Sequence, residues 1–118
     1  MIAVVIIDHG SRYPAANEAL NNVVSRMQEL SPGVLVKGAH MELAEPSISA
    51  TINDCVKAGA KKIIAHPFML SPGRHAIRDI PNLVYEAMSA HPDIDVVITP
   101  PLGLHDGIIQ AIKDRCDL

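Results

Sequence analysis

The stretch that most limits how this chain can fold lies at its start. Ile2 to Ile7 is a continuous apolar run rich in β-branched residues. A strand with one wet face alternates apolar and polar residues, whereas an unbroken run suits a strand covered on both faces of a parallel sheet. The run ends in Asp8-His9-Gly10-Ser11-Arg12, and Tyr13-Pro14 then opens a helix through Leu30. Ala16, Ala19, Leu20, Val23, Val24, Met27 and Leu30 recur there at helical spacing. Ser31-Pro32-Gly33 stops the helix, and Val34 to Met41 reads as a second strand.

The alternation continues. Glu45-Pro46-Ser47 starts a second helix with Ile48, Ile52, Cys55 and Val56 facing inward, closed at Gly59. Lys61 to Ala65 is a third strand, which must be over by Pro67 because proline cannot donate to a ladder. A third helix is expected from about Arg74 to Ser89, with Ile77, Ile80, Leu83, Val84, Ala87 and Met88 inward. Pro81 falls inside that span, so the helix either starts twice or kinks. Ile94 to Thr99 is a fourth strand, Pro100-Pro101-Leu102-Gly103 a rigid turn, and His105 to Cys116 a last helix. Strands alternating with helices predict an α/β fold: a central four-stranded parallel sheet with helices on both faces, in three layers.

The chain has 118 residues, which suits one domain over 1–118. Its apolar fraction of 48% supplies a core, built from aliphatic residues because Trp is absent and Phe occurs once. A net charge of −3 argues against a nucleic-acid footprint. The apolar runs are too short to span a bilayer, and Met1 to Ile7 lacks the basic flank of a signal peptide. Cys55 and Cys116 form no CxxC, so neither a zinc ribbon nor a disulfide framework is indicated and a reducing compartment fits. The expected location is the cytoplasm.

A parallel sheet gathers the loops after its strands along one edge, where ligands are normally held. That edge collects His9, His40, Glu42, the loop from Pro67 to His75 and the segment from Pro100 to His105. A single histidine there could simply bond to backbone. His9 and His75 together, flanked by Arg12, Arg74 and Arg78, point to chemistry instead. Two imidazoles and the Glu42 carboxylate make a donor set for a divalent ion with open positions, loose enough for a metal in transit. The arginines suit carboxylates or phosphates. Glu45 can equally serve as a helix cap. His40 shares its side of the strand with Glu42 and also fits the edge of the core. His66 is expected in sheet packing or at the rim, His91 in solvent, and His105 in a capping or rim role.

These segments resemble a known family. Asp8-His9-Gly10-Ser11-Arg12, His40-Met41-Glu42-Leu43-Ala44-Glu45-Pro46-Ser47-Ile48, Pro67-Phe68-Met69-Leu70-Ser71-Pro72-Gly73-Arg74-His75, Asp79-Ile80-Pro81 and Pro101-Leu102-Gly103 occur in order. In that order they look like the small class II chelatases, the short sirohydrochlorin cobaltochelatases and ferrochelatases. The resemblance covers nearly the whole chain. It implies a chelatase-like fold and ATP-independent insertion of Fe2+ or Co2+ into sirohydrochlorin, serving sirohaem or cobalamin synthesis. It places catalysis and metal handling on His9 and His75, with Glu42 as the acidic partner and Glu45 as the alternative. Arg12, Arg74, Arg78 and Ser11 fall to substrate binding, opposite the carboxylates of sirohydrochlorin. It also implies a homodimer, no permanently bound cofactor, and a plastid stroma as the location if the chain is of plant type. The cysteine-rich tail of plant relatives does not follow Leu118, so no iron–sulfur cluster is expected.

Three other readings compete. The same cleft could carry a tetrapyrrole or metal without catalysis. Phosphoryl transfer on His9 is disfavoured because Asp8 beside it repels phosphate. Nucleotide binding is disfavoured because the first strand-to-helix turn lacks G-x-G-x-x-G and P-loop spacing.

Overall fold

The computed structural model describes residues 1–118. Four strands form one sheet: β1 (Ile2–Asp8), β2 (Val34–His40), β3 (Lys62–Pro67) and β4 (Asp95–Ile98). Their order is β2-β1-β3-β4 and every pairing is parallel. The helices are α1 (Pro14–Leu30), α2 (Ile48–Lys57), α3 (Ile80–Met88) and α4 (Asp106–Cys116). None is long and apolar enough to cross a membrane.

The unbroken apolar runs are explained by what covers each face. On one face Ala3, Val5, Ile7, Ile63 and Ala65 meet Ile48, Ile52 and Cys55 of α2 and Ile80, Val84 and Met88 of α3 in a cluster of 13 buried residues. Burying each aliphatic side chain there contributes about 1.5–3 kcal/mol. On the other face Ile6 and Val36 pack against Leu20 of α1 in a cluster of only 3 buried residues.

The strands match expectation with small differences at their ends. β2 stops at His40, one residue short of Met41. β3 runs two residues past Ala65 and takes Pro67 as its last member. Proline is tolerated there because the ladder continues through the Phe68 N–H, which donates to Ile7 O at 2.7 Å.

The third helix starts twice. A single π-helical turn, His75–Asp79, leads into α3, whose first turn holds Pro81, where a missing N–H costs nothing. The wider π-turn breaks the 3.6-residue register. Ile77, expected to face inward, is therefore 63% exposed, and Leu83 lies at the rim, while Ile80, Val84 and Met88 keep the buried stripe.

Chain order reverses beside β1: the first crossover leads outward to β2, and the second returns to β3 on the opposite side of β1. Loops after β1 and β3 therefore diverge to opposite faces and leave a crevice at their C-terminal ends. His9 follows β1, and the His75 loop follows β3.

Candidate functional site

The β1–β2 ladder continues past both strands. Met41 N–H donates to Asp8 O at 2.9 Å, and Glu42 N–H donates to His9 O at 3.1 Å. His9 and Glu42 are thus held side by side by backbone before any side-chain contact is made. Gly10 is required at this crossing. Its φ is +92°, and a Cβ there would overlap the carbonyl oxygen of Glu42. Farther along, the His40 N–H donates to Pro46 O at 2.9 Å and closes the loop that carries Glu42.

Side chains complete the convergence. His9 Nε2 lies 3.1 Å from Glu42 Oε1. The rings of His9 and His75 stand with centroids 4.7 Å apart and planes tilted by 57°. Two residues separated by 66 positions in sequence therefore share one cleft within a single chain. The donors bond to one another and to their surroundings: His9 Nδ1 lies 3.2 Å from Gly10 O. No three His, Cys, Asp or Glu side chains face a common point at metal-holding distance.

Asp79, to which sequence reasoning gave no role beyond its place in a family segment, stands against His75. Its Oδ2 sits 2.8 Å from His75 Nδ1, and its Oδ1 accepts from Arg78 Nε at 3.2 Å. An imidazole that donates from Nδ1 keeps its lone pair on Nε2, so the carboxylate both turns the ring and selects the usable nitrogen. Burial works against ionisation of Asp79, but the hydrogen bonds from His75 and Arg78, with their charges, outweigh it and hold the carboxyl below its usual range. The i, i+4 spacing of His75 and Asp79 was the readable signal.

The arginines are exposed on this edge, and Arg78 is partly engaged by Asp79. Ser11 acts locally. Its Oγ accepts from Tyr13 N–H at 3.0 Å, while Asn17 staples the Ser11 backbone from both sides. Glu45 helps shape the entry to α2, accepting from Ser47 N–H at 3.2 Å. Ser47 is itself the cap, accepting from Ala50 N–H.

The other histidines fall outside the cleft. His40 is 3% exposed and lies 2.6 Å from Asp8 Oδ1, so it belongs to the edge of the core. His66 points to the opposite sheet face, 2.7 Å from Thr99 Oγ1; burial pushes its pKa down, partly offset by a hydrogen bond to the Pro100 backbone. His91, expected free in solvent, is partly covered and lies 2.8 Å from Asn53 Oδ1. His105 caps α4, its ring accepting from Gly107 N–H at 2.8 Å.

Comparison with known proteins places this geometry in a family. The CbiX family model matches residues 3–117. The chain is 42% identical over 112 residues to the chloroplastic sirohydrochlorin ferrochelatase of Arabidopsis thaliana, covering 95% of this chain and 50% of that protein. It is 30% identical to the sirohydrochlorin cobaltochelatase of Methanococcus maripaludis, covering 99% of each. The structure superposes on the cobalt complex of the sirohydrochlorin chelatase SirB from Bacillus subtilis subspecies spizizenii with a TM-score of 0.92. Identity there is 28%, over 98% of this chain and 50% of that one. The chain thus spans half the length of the plant and bacillar proteins and nearly all of the archaeal one. With a family match from end to end and a relative of its own span, the chain belongs to the CbiX family.

Proposed function

We propose that this chain is a sirohydrochlorin chelatase that inserts Fe2+ or Co2+ into the macrocycle without ATP. The observation that carries the reading is the meeting of His9, His75 and Glu42 in the crevice beyond β1 and β3. The names of its relatives, ferrochelatase and cobaltochelatase, supply the reaction class.

Insertion exchanges two pyrrole N–H protons for one divalent ion, which must shed water on entry. Both steps suit this cleft. The imidazoles, with Glu42 against one of them, offer the ion borderline ligands that bind it without locking it in place. The departing protons have two kinds of acceptor within reach, an imidazole lone pair and a carboxylate. The weak, unclosed donor set is an advantage here, because a metal held by three well-aimed ligands would not leave for the macrocycle. Arg12, Arg74 and Arg78 line the approach and pair with the carboxylates at the substrate's rim. We place the reaction in an aqueous compartment, the cytoplasm or a plastid stroma, and in a homodimer whose second copy encloses a ligand too wide for one small domain.

The test is anaerobic mixing of protein, sirohydrochlorin and Fe2+ or Co2+, followed by absorbance. Accelerated conversion to the metallated spectrum is expected. Tight binding of the macrocycle with no gain over the uncatalysed rate would instead identify a carrier.

A further inference from the structure

The loop from β2 to α2 is pinned at both ends. On the way out, Met41 N–H and Glu42 N–H donate to Asp8 O and His9 O, and the Glu42 carbonyl oxygen lies against Gly10. On the way back, Pro46 O accepts from His40 N–H at 2.9 Å, and Ser47 pairs with His40 in a parallel bridge. The chain thus leaves His40 and returns to it over residues 41–46. The reversal falls to the residues between the pinned ends, and Leu43 makes its turn in the left-handed region, at φ +69°.

A Cβ makes that region costly, and leucine has no polar side-chain atom with which to offset the cost. Elsewhere the chain meets the same demand with residues suited to it. Gly10 turns at φ +92°, and Asp117, the other non-glycine residue at positive φ, carries a short polar side chain at the end of α4. Glycine at position 43 would relieve the backbone. The interior does not call for leucine instead: Leu43 is 51% exposed and belongs to neither core cluster. Backbone strain of this kind collects at ligand clamps and active sites, where the side chain it presents is put to use.

The surroundings say what that use is. Leu43 follows Glu42, whose carboxylate lies 3.1 Å from His9 Nε2. The cleft around these groups is polar at its centre and apolar at its flanks. Phe68 and Met69 stand on the His9 side, Met41 and Leu83 on the side of Glu42 and His75. A flat conjugated macrocycle with carboxylates at its edge has the matching distribution, apolar over its faces and anionic at its rim. An apolar side chain held in solvent beside Glu42 gains free energy when a ring face covers it.

We propose that Leu43 is a substrate-contact residue, whose left-handed backbone props an apolar side chain beside Glu42 for a macrocycle face to cover on binding. The leucine helps to seat the ring over the His9–Glu42 pair, while the arginines meet its carboxylates. This deepens the chelatase reading and rests on it for the identity of the ligand.

Titration with sirohydrochlorin in the absence of metal tests the contact, because turnover then plays no part. Leu43→Gly and Leu43→Asn are expected to bind the macrocycle about 10-fold more weakly than the intact protein, the change that corresponds to covering the exposed half of a leucine side chain. Leu43→Met keeps an apolar side chain of similar volume and is expected within about 3-fold of intact affinity. The urea midpoints of the Gly and Asn variants are expected to hold or rise, since both residues accept the left-handed region. Co2+ binding without macrocycle is expected to stay unchanged in all three. Macrocycle affinity unchanged in both the Gly and Asn variants overturns the proposal. So does a fall in their urea midpoints, which would make Leu43 a packing residue, or a matching loss of Co2+ binding, which would mean that it acts only by aiming Glu42. An intact protein that binds sirohydrochlorin without accelerating insertion, and loses that binding in the two variants, would sink the enzymatic reading alone and leave this contact standing.

Discussion

Two carboxylate–imidazole pairs stand at the same edge of the sheet and do opposite things. Asp8 and His40 meet at 2.6 Å, Asp79 and His75 at 2.8 Å. The chemistry of contact is the same. The surroundings are not: the His40 side chain is 4% exposed and that of His75 is 47% exposed. The first pair joins the ends of two adjacent strands and faces protein. The second spans one π-turn and faces the cleft. A buried pair fixes backbone, because neither partner can exchange its bond for water without loss. An exposed pair adds little to stability and instead aims a ring. The difference teaches that a histidine next to a carboxylate says nothing about its role until its access to solvent is known.

The largest effect should come from the exposed pair and appear in rate. Under the proposed function, His75→Ala removes a proton acceptor and a metal donor together, and a loss of about 10²–10⁴ in insertion rate is expected for such a group. Because the side chain contributes little to the core, the urea midpoint should move by less than about 0.5 kcal/mol in equivalent stability. Insertion at the normal rate in this variant would break the comparison from the functional side.

The buried pair should respond in the reverse sense. His40→Ala leaves Asp8 without its partner at a site where its side chain is only 20% exposed, and a stability loss of about 2 kcal/mol is expected. The unfolding midpoint in urea reads it. Insertion by whatever fraction remains folded should stay within a few-fold of normal, since His9 and Glu42 are still joined through backbone. A stable His40→Ala protein with a collapsed rate would show that the buried pair belongs to the chemistry after all.

Much of this is legible in the residues alone, and the reasons differ by element. A strand covered on both faces must be apolar throughout, so β1 can be read from its composition, and the apolar Ile63-Ile64-Ala65 marks β3 although one of its faces lies open. Parallel order then forces their loops to one edge, which brings His9 and His75 together without a contact being seen. Sequence spacing could not show that a π-turn would slip the register of the third helix and expose Ile77. Nor could it show that α4, amphipathic in pattern, packs on nothing of its own. Helical periodicity identifies an apolar stripe but not the surface that covers it. The contact of Asp79 with His75 is available from their spacing. It was hidden because an acid four residues after a histidine usually reads as an ordinary surface pair.

The smallest effect is a pH dependence that arises by linkage at Asp79 of the exposed pair. The Asp79 carboxyl is held below its usual value of about 3.8: burial opposes ionisation, and the His75 and Arg78 hydrogen bonds and charges prevail. A carboxyl whose folded pKa is depressed contributes stability that is present above its unfolded pKa and lost as pH falls through the folded one. Asp79→Asn removes that contribution. The intact protein should therefore be slightly the more stable of the two at neutral pH, and the gap should close below about pH 4. His66, whose neutral form is favoured by burial, also costs stability as acid charges it, but it does so equally in both proteins and cancels in the difference. Urea titrations of the pair at successive pH values measure the gap. A gap that stays constant into acid would mean that Asp79 gains nothing from its partners, and the orienting bond to His75 would lose its physical basis.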